Sequence, residues 1–337
     1  MQQRIDYIDT LRTLACFLVV LTHSTMPAEN ASDGIYMFFY SFISSPATQI
    51  FFAISGALLF PIKQPMKEFY KKRFIKILPP VLIWSIISVF IYILLGNITI
   101  VEGIKRLILM PIQPAISIYW FIYVMIGLYL IGPIISKWLV SATKREIEFF
   151  LLLWEINLCM PFLNLIIPNI FSDSGNHYWM LNYFGGFLGY WILGYYLTKY
   201  PFHIGWNKKF IWLCTSLVGY IGFILILKLH NIDDQQYTYY LQIGNALMVI
   251  WIFTATKDFS PISSKYQKPI TEIAKYSFGI YLVHILIVRE FVWRFFENHH
   301  IFILIETPLI TIISLILSYI LLRILAKLPY SKYIIGI

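Results

Sequence analysis

Residues 79–96 read PPVLIWSIISVFIYILLG, an unbroken run without a single charged side chain. A helix rising about 1.5 Å per residue needs roughly 20 such residues to cross the hydrocarbon core of a bilayer, about 30 Å thick. A barrel strand would alternate apolar and polar positions, and lipid permits no third way to satisfy the backbone. The run is therefore predicted to be a transmembrane helix. Working outward, comparable runs occupy residues 7–26, 35–60, 118–136, 147–167, 181–199, 210–229, 239–256, 278–296 and 303–326, which makes ten spans. The composition agrees, with 59% of the 337 residues hydrophobic and 13% charged, against about 25% charged in soluble domains. The expected fold is all-α: a polytopic membrane protein of about ten transmembrane helices, with residues 1–337 forming one transmembrane domain. A water-soluble fold is excluded, so the net charge of +9 does not point to nucleic acid.

The placement of that charge reports topology instead. With the amino terminus inside, the outer segments hold only Lys105, Arg106, Lys228, Arg289 and Arg294, which leaves 21 of the 26 basic residues on the inner side. A bias of that size fixes orientation, and both termini are expected to be cytoplasmic. The outer connections are short, such as 172–177 and 230–237, so no large external domain is expected. Residues 100–110 place Ile100, Ile104, Leu107 and Ile108 on one helical face, a pattern for a helix lying in the outer interface. The first run lacks a small-residue cleavage site and is expected to be retained. Cys16, Cys159 and Cys214 lie in apolar runs with neither disulfide nor metal-ligand spacing, so they read as small core residues and no metal is expected. His177, His203, His230, His299 and His300 fall in loops and read as surface residues. Most of the aromatic residues suit interfacial belts.

Ionisable residues inside spans are costly and mark candidate functional positions. Arg12 and His23 are eleven residues apart on one helix, which overshoots three full turns by only about 20° and separates them by roughly 16 Å in depth. They share a face, with a fixed cation near the inner edge and a titratable imidazole near the outer one. The competing reading is that each simply snorkels to its own interface. Ser277, Tyr281 and His284 share one face of the ninth helix in its cytoplasmic half, where they either line a channel or hydrogen-bond neighbouring helices. Glu155 lies mid-span and must be neutral, paired or hydrated, with Arg12 and His284 as candidate partners. Snorkelling is the favoured reading for Arg289 and Arg294, with acceptor binding as the alternative.

The sequence Ile8-Asp9-Thr10-Leu11-Arg12, followed by ten residues and His23, resembles the first-helix motif of the acyltransferase-3 family. Phe51-Phe52-Ala53-Ile54-Ser55-Gly56 resembles the family's second helix, and Lys72-Arg73-Phe74-Ile75-Lys76-Ile77-Leu78-Pro79 its basic turn into the third. Tyr119-Trp120-Phe121 with Gly127-Leu128-Tyr129 resembles the fourth helix, and Tyr276 to His284 the late serine–glycine–tyrosine–histidine segment. Family members often carry a second arginine in the basic turn, where this chain has Lys76, which keeps the charge without the planar fork.

The resemblance implies an integral membrane O-acyltransferase of the bacterial cytoplasmic membrane. It would move an acyl group, usually acetyl, from cytoplasmic acyl-coenzyme A to a hydroxyl of an envelope glycan or lipid-linked sugar. In that frame His23 is the catalytic acid–base group, and an acyl-imidazole on it is the less favoured route. Arg12, Lys72, Arg73 and Lys76, with Ser277, Tyr281 and His284, are the expected donor-binding set, and Glu155 and Asp9 are candidate site charges. Acetyl-coenzyme A or another acyl-coenzyme A is the expected co-substrate, and the expected partners are this donor, the glycan acceptor and membrane lipids. The alternative is a transporter or flippase exporting a polar solute or glycan, which would move its cargo without coenzyme A.

Overall fold

The computed structural model describes residues 6–26, 31–160, 180–200, 205–229, 243–259, 263–297 and 301–336. Among these residues every regular element is a helix. In chain order they are α1 (Asp6–Ser24), α2 (Ala31–Ser44), α3 (Ala47–Leu59), α4 (Met66–Leu94), α5 (Ile100–Ile108), α6 (Trp120–Ser141) and α7 (Lys144–Leu158). They continue with α8 (Leu188–Lys199), α9 (Trp206–Leu229), α10 (Ile243–Asp258), α11 (Ser264–Ile287), α12 (Trp293–Phe296), α13 (Ile303–Leu325) and α14 (Lys332–Ile335). A 3-10 turn at Ser117–Tyr119 leads into α6, and a π-helical turn at Val288–Val292 joins α11 to α12.

Among the described residues, five helical stretches, 36–59, 66–94, 117–141, 265–296 and 303–325, are long and apolar enough to cross a membrane. Ten were expected, and the predicted runs 147–167 and 239–256 extend past the described residues. The helices α7, α8 and α10 hold 12–16 residues among those described, which gives less than the roughly 20 residues a full span needs. In α1, Asp9 and Arg12 interrupt the apolar run. The expected outer loops at 172–177 and 230–237, and the five loop histidines, lie outside the described residues.

The chain forms two compact units, one of residues 1–15, 42–61 and 135–262, the other of residues 16–41, 62–134 and 263–337. In the first, α3 and α8 meet backbone to backbone. A Cβ built on Gly56 would lie 1.8 Å from the Trp191 carbonyl oxygen, and one on Gly194 would lie 1.8 Å from that of Ala53. Small residues allow such approach where lipid supplies no hydrophobic drive between helices. The indole of Trp191 seals the contact by donating to the Ser55 hydroxyl at 3.0 Å. On the exposed start of α7, the Thr143 hydroxyl and Glu146 carboxylate form a reciprocal cap, and the hydrogen bonds from Thr143 hold the Glu146 carboxyl below its ordinary pKa.

The second unit carries the clearest lipid signature. On α13 the buried side holds Thr307, Thr311, Ser314 and Ser318, while Ile312, Ile316, Ile320 and Ile324 are exposed. That inverts the rule for water-soluble helices. The buried hydroxyls of Thr311 and Ser318 are satisfied within the helix, donating to the carbonyls of Thr307 at 2.8 Å and Ser314 at 2.6 Å. The carboxy-terminal turn docks on α4, where the Trp84 indole donates to the Ile334 carbonyl at 2.9 Å. Gly336, at φ +70°, supplies the left-handed backbone that ends α14 against Phe278 and Pro80.

Candidate active site

The site is built around α11. Tyr281 donates its hydroxyl to the Ile118 carbonyl, and Tyr119 donates in return to the Leu282 carbonyl at 2.7 Å. These reciprocal bonds clamp α11 to the 3-10 turn that opens α6. The Ser277 hydroxyl donates to the Ala274 carbonyl at 2.9 Å within the same helix. Tyr281 thus holds the backbone of a neighbouring element, while the Ser277 hydroxyl bonds only within its own helix among the contacts described.

One turn beyond the clamp stands His284, fully buried. Its Nδ1 lies 2.8 Å from the Tyr281 carbonyl and 3.1 Å from that of Ile280. A carbonyl only accepts, so Nδ1 carries the proton and Nε2 presents a lone pair. That Nε2 is buried and has no hydrogen-bond partner among the described residues. A buried, unsatisfied nitrogen is costly enough to call for a functional explanation.

The explanation stands beside it. The ring of His23, half-buried at the last turn of α1, has its centroid 5.4 Å from that of His284, with the planes inclined at 40°. The Trp293 indole donates to the Ser24 carbonyl at 3.2 Å and so ties the end of α1 to the helix that follows the π turn. The Arg289 guanidinium lies close enough for its charge to act on both imidazoles, and it stacks over the Trp293 ring at 5.7 Å. Helical π turns are frequent at functional sites because the extra residue redirects the side chains around it. Spacing along α11 assigned His284 to the donor end, whereas the fold brings it to His23. No signal in the sequence pairs these two residues, because the contact joins helices at opposite ends of the chain.

At the other end of the same unit, Lys71, Lys72, Lys76 and Lys332 with Glu68, Ile75 and Tyr333 line a cavity of about 410 Å³. Residues 68, 72, 75 and 76 fall on one face of α4, and the docked carboxy-terminal turn adds Lys332. Lys332 carried only topological weight in the sequence and becomes a site residue through tertiary packing. Arg73 points elsewhere, its guanidinium stacking on Phe69 at 5.7 Å and Tyr129 at 5.8 Å.

Arg12 and the buried Asp9, in the first unit, lie 3.9 Å apart. Since α1 is unbroken from Asp6 to Ser24, the shared face of Arg12 and His23 holds as read from the sequence. Glu155 is half-buried on α7 and makes no ion pair with Arg12 or any other described residue.

The family model of the acyltransferase domain, acyltransferase-3, matches residues 5–323, and the chain belongs to that family. It is a membrane acyltransferase. Comparisons with curated proteins and with solved structures find no match.

Proposed function

We propose that the protein transfers an acyl group, acetyl in the simplest case, from cytoplasmic acyl-coenzyme A to a hydroxyl of an envelope glycan or lipid-linked sugar at the bacterial cytoplasmic membrane. The observation that carries this reading is the pairing of half-buried His23 with buried His284, whose Nε2 is open. The lysine-lined cavity supports it from the donor side, because the phosphates of coenzyme A require cations and four lysines face one carboxylate there. With the donor held by Lys71, Lys72, Lys76 and Lys332, the slender pantetheine arm presents its thioester toward the imidazoles.

His23 then accepts the proton of the acceptor hydroxyl as its oxygen attacks the thioester carbon. The tetrahedral intermediate collapses with cleavage of the carbon–sulfur bond, and the proton passes to the departing thiolate. His284, its tautomer fixed by the Tyr281 carbonyl, orients the neighbouring ring and offers Nε2 to the shuttled proton. Arg12 with Asp9, lower on the same helix face, positions the donor.

Release of free coenzyme A thiol by purified protein tests the reading. The Lys72→Ala/Lys332→Ala protein should show a donor KM raised about tenfold or more, with kcat less affected, since each lysine contributes a charge-assisted contact. An unchanged donor KM in folded protein would remove the cavity from the donor site. An exporter would consume no acyl-coenzyme A at all.

A further inference from the structure

Next to the imidazole pair, at the end of the spans that the charge bias assigns to the outer side, lies a second cavity of about 200 Å³. Its polar lining is Tyr92, Asn97, Arg106, Ser117, Arg289 and Glu290. Ile285, the residue after His284, also lines it, and Ser117 belongs to the turn that Tyr281 and Tyr119 clamp to α11. The cavity is thus formed by the same elements that fix His284.

Its charges do not cancel. Arg106 pairs with Glu102 at 2.5 Å. Glu290 pairs with Arg294 at 2.9 Å and accepts from the Asn97 amide at 3.1 Å. Arg289 stacks on Trp293 and has no carboxylate within ion-pair distance among the described residues. One cation is left over, in a cavity smaller than the about 300 Å³ at which drug-sized pockets begin. It suits a single sugar ring or a headgroup fragment. Arg289 is exposed, lines this polar cavity and follows the buried His284 by five residues.

We propose that this cavity is the acceptor subsite, and that it selects an acceptor bearing one negatively charged oxyanion beside the hydroxyl to be acylated. The anion is bound by the Arg289 fork, while Asn97, Ser117 and Tyr92 offer hydrogen bonds to ring hydroxyls. A sugar carboxylate and a sugar phosphodiester share that chemistry. The assignment rests on the acyl-transfer reading above, and the test separates the two.

Purified full-length protein in phosphatidylcholine nanodiscs is titrated calorimetrically with methyl glucoside, methyl glucuronide and a glucosyl alkyl phosphodiester. Thiol release from acetyl-coenzyme A is followed with each in parallel. At least one anionic sugar should bind about tenfold to a hundredfold more tightly than methyl glucoside, the range expected for hydrogen bonds to a charged group. Which of the two does so identifies the source of the anion. Arg289→Gln should bring the anionic-to-neutral affinity ratio close to one, and Arg289→Lys should keep part of the preference. Equal affinities in the unaltered protein, or a preference that survives Arg289→Gln, overturns the subsite. Selective binding without thiol release from any acceptor would leave the subsite standing and count against acyl transfer.

Discussion

At the scale of single residues, the two histidines have separable roles. On the proposed mechanism His284 acts through His23, so His284→Gln should lower kcat by about tenfold or more while leaving the donor KM in place, because no contact of the His284 ring reaches the lysine cavity. A parallel rise in donor KM would return His284 to the donor site. Arg12 is proposed to bind the donor, and Arg12→Ala also removes the cation 3.9 Å from the buried Asp9 carboxylate. Adding Asp9→Asn should recover much of the lost thermal stability, yet donor affinity should stay weak. Recovery of both would make Arg12 purely structural. Arg12 and His23 were legible because one helix carries them and 3.6-residue periodicity is enough to align them. The His23–His284 contact was not, since its two partners are 261 positions apart and periodicity says nothing about which helices meet.

At the scale of elements, hydropathy and helicity part company. The run at 79–96 marks where α4 enters apolar surroundings, but the helix itself begins at Met66. Its first turns are charged and amphipathic, and they build one wall of the cationic cavity. Likewise the run at 35–60 is two helices, α2 and α3, meeting at Ser45 and Pro46, because an apolar window does not register a bend. The motif ending in Ser55 and Gly56 gains its physical meaning only from α8, where the Trp191 carbonyl occupies the space a Cβ would need. Gly56→Ala and Gly194→Ala should therefore each force α3 and α8 apart, lower the melting temperature in detergent and reduce folded yield. Gly127→Ala provides the contrast, since nothing among the described residues lies within 4 Å of a Cβ there. Replacing an exposed helical glycine typically gains about 0.5–1 kcal/mol, so that variant should melt no lower than the parent. Equal losses at all three positions would mean that glycine content, not close packing, matters.

At the scale of the whole molecule, the lipid-facing apolar surface of α13 and the cationic residues gathered on α4 and the carboxy-terminal turn were legible as membrane embedding and charge bias. The polar outer cavity was not, because its members come from α4, α5, the 3-10 turn and the π turn. The bias predicts a topology in which reporters fused after Lys76 and Asp234 label opposite faces of the membrane. Labels on the same face would refute the assignment of sides. The central claim, that the imidazole of His23 carries proton transfer between an inner donor and an outer acceptor, is tested most directly in proteoliposomes with acetyl-coenzyme A sealed inside and the glycan acceptor outside. Unaltered protein should acylate the acceptor, and His23→Ala should lower the rate about a hundredfold or more while binding acetyl-coenzyme A as before. Acceptor acylation by His23→Ala at the unaltered rate would contradict the account.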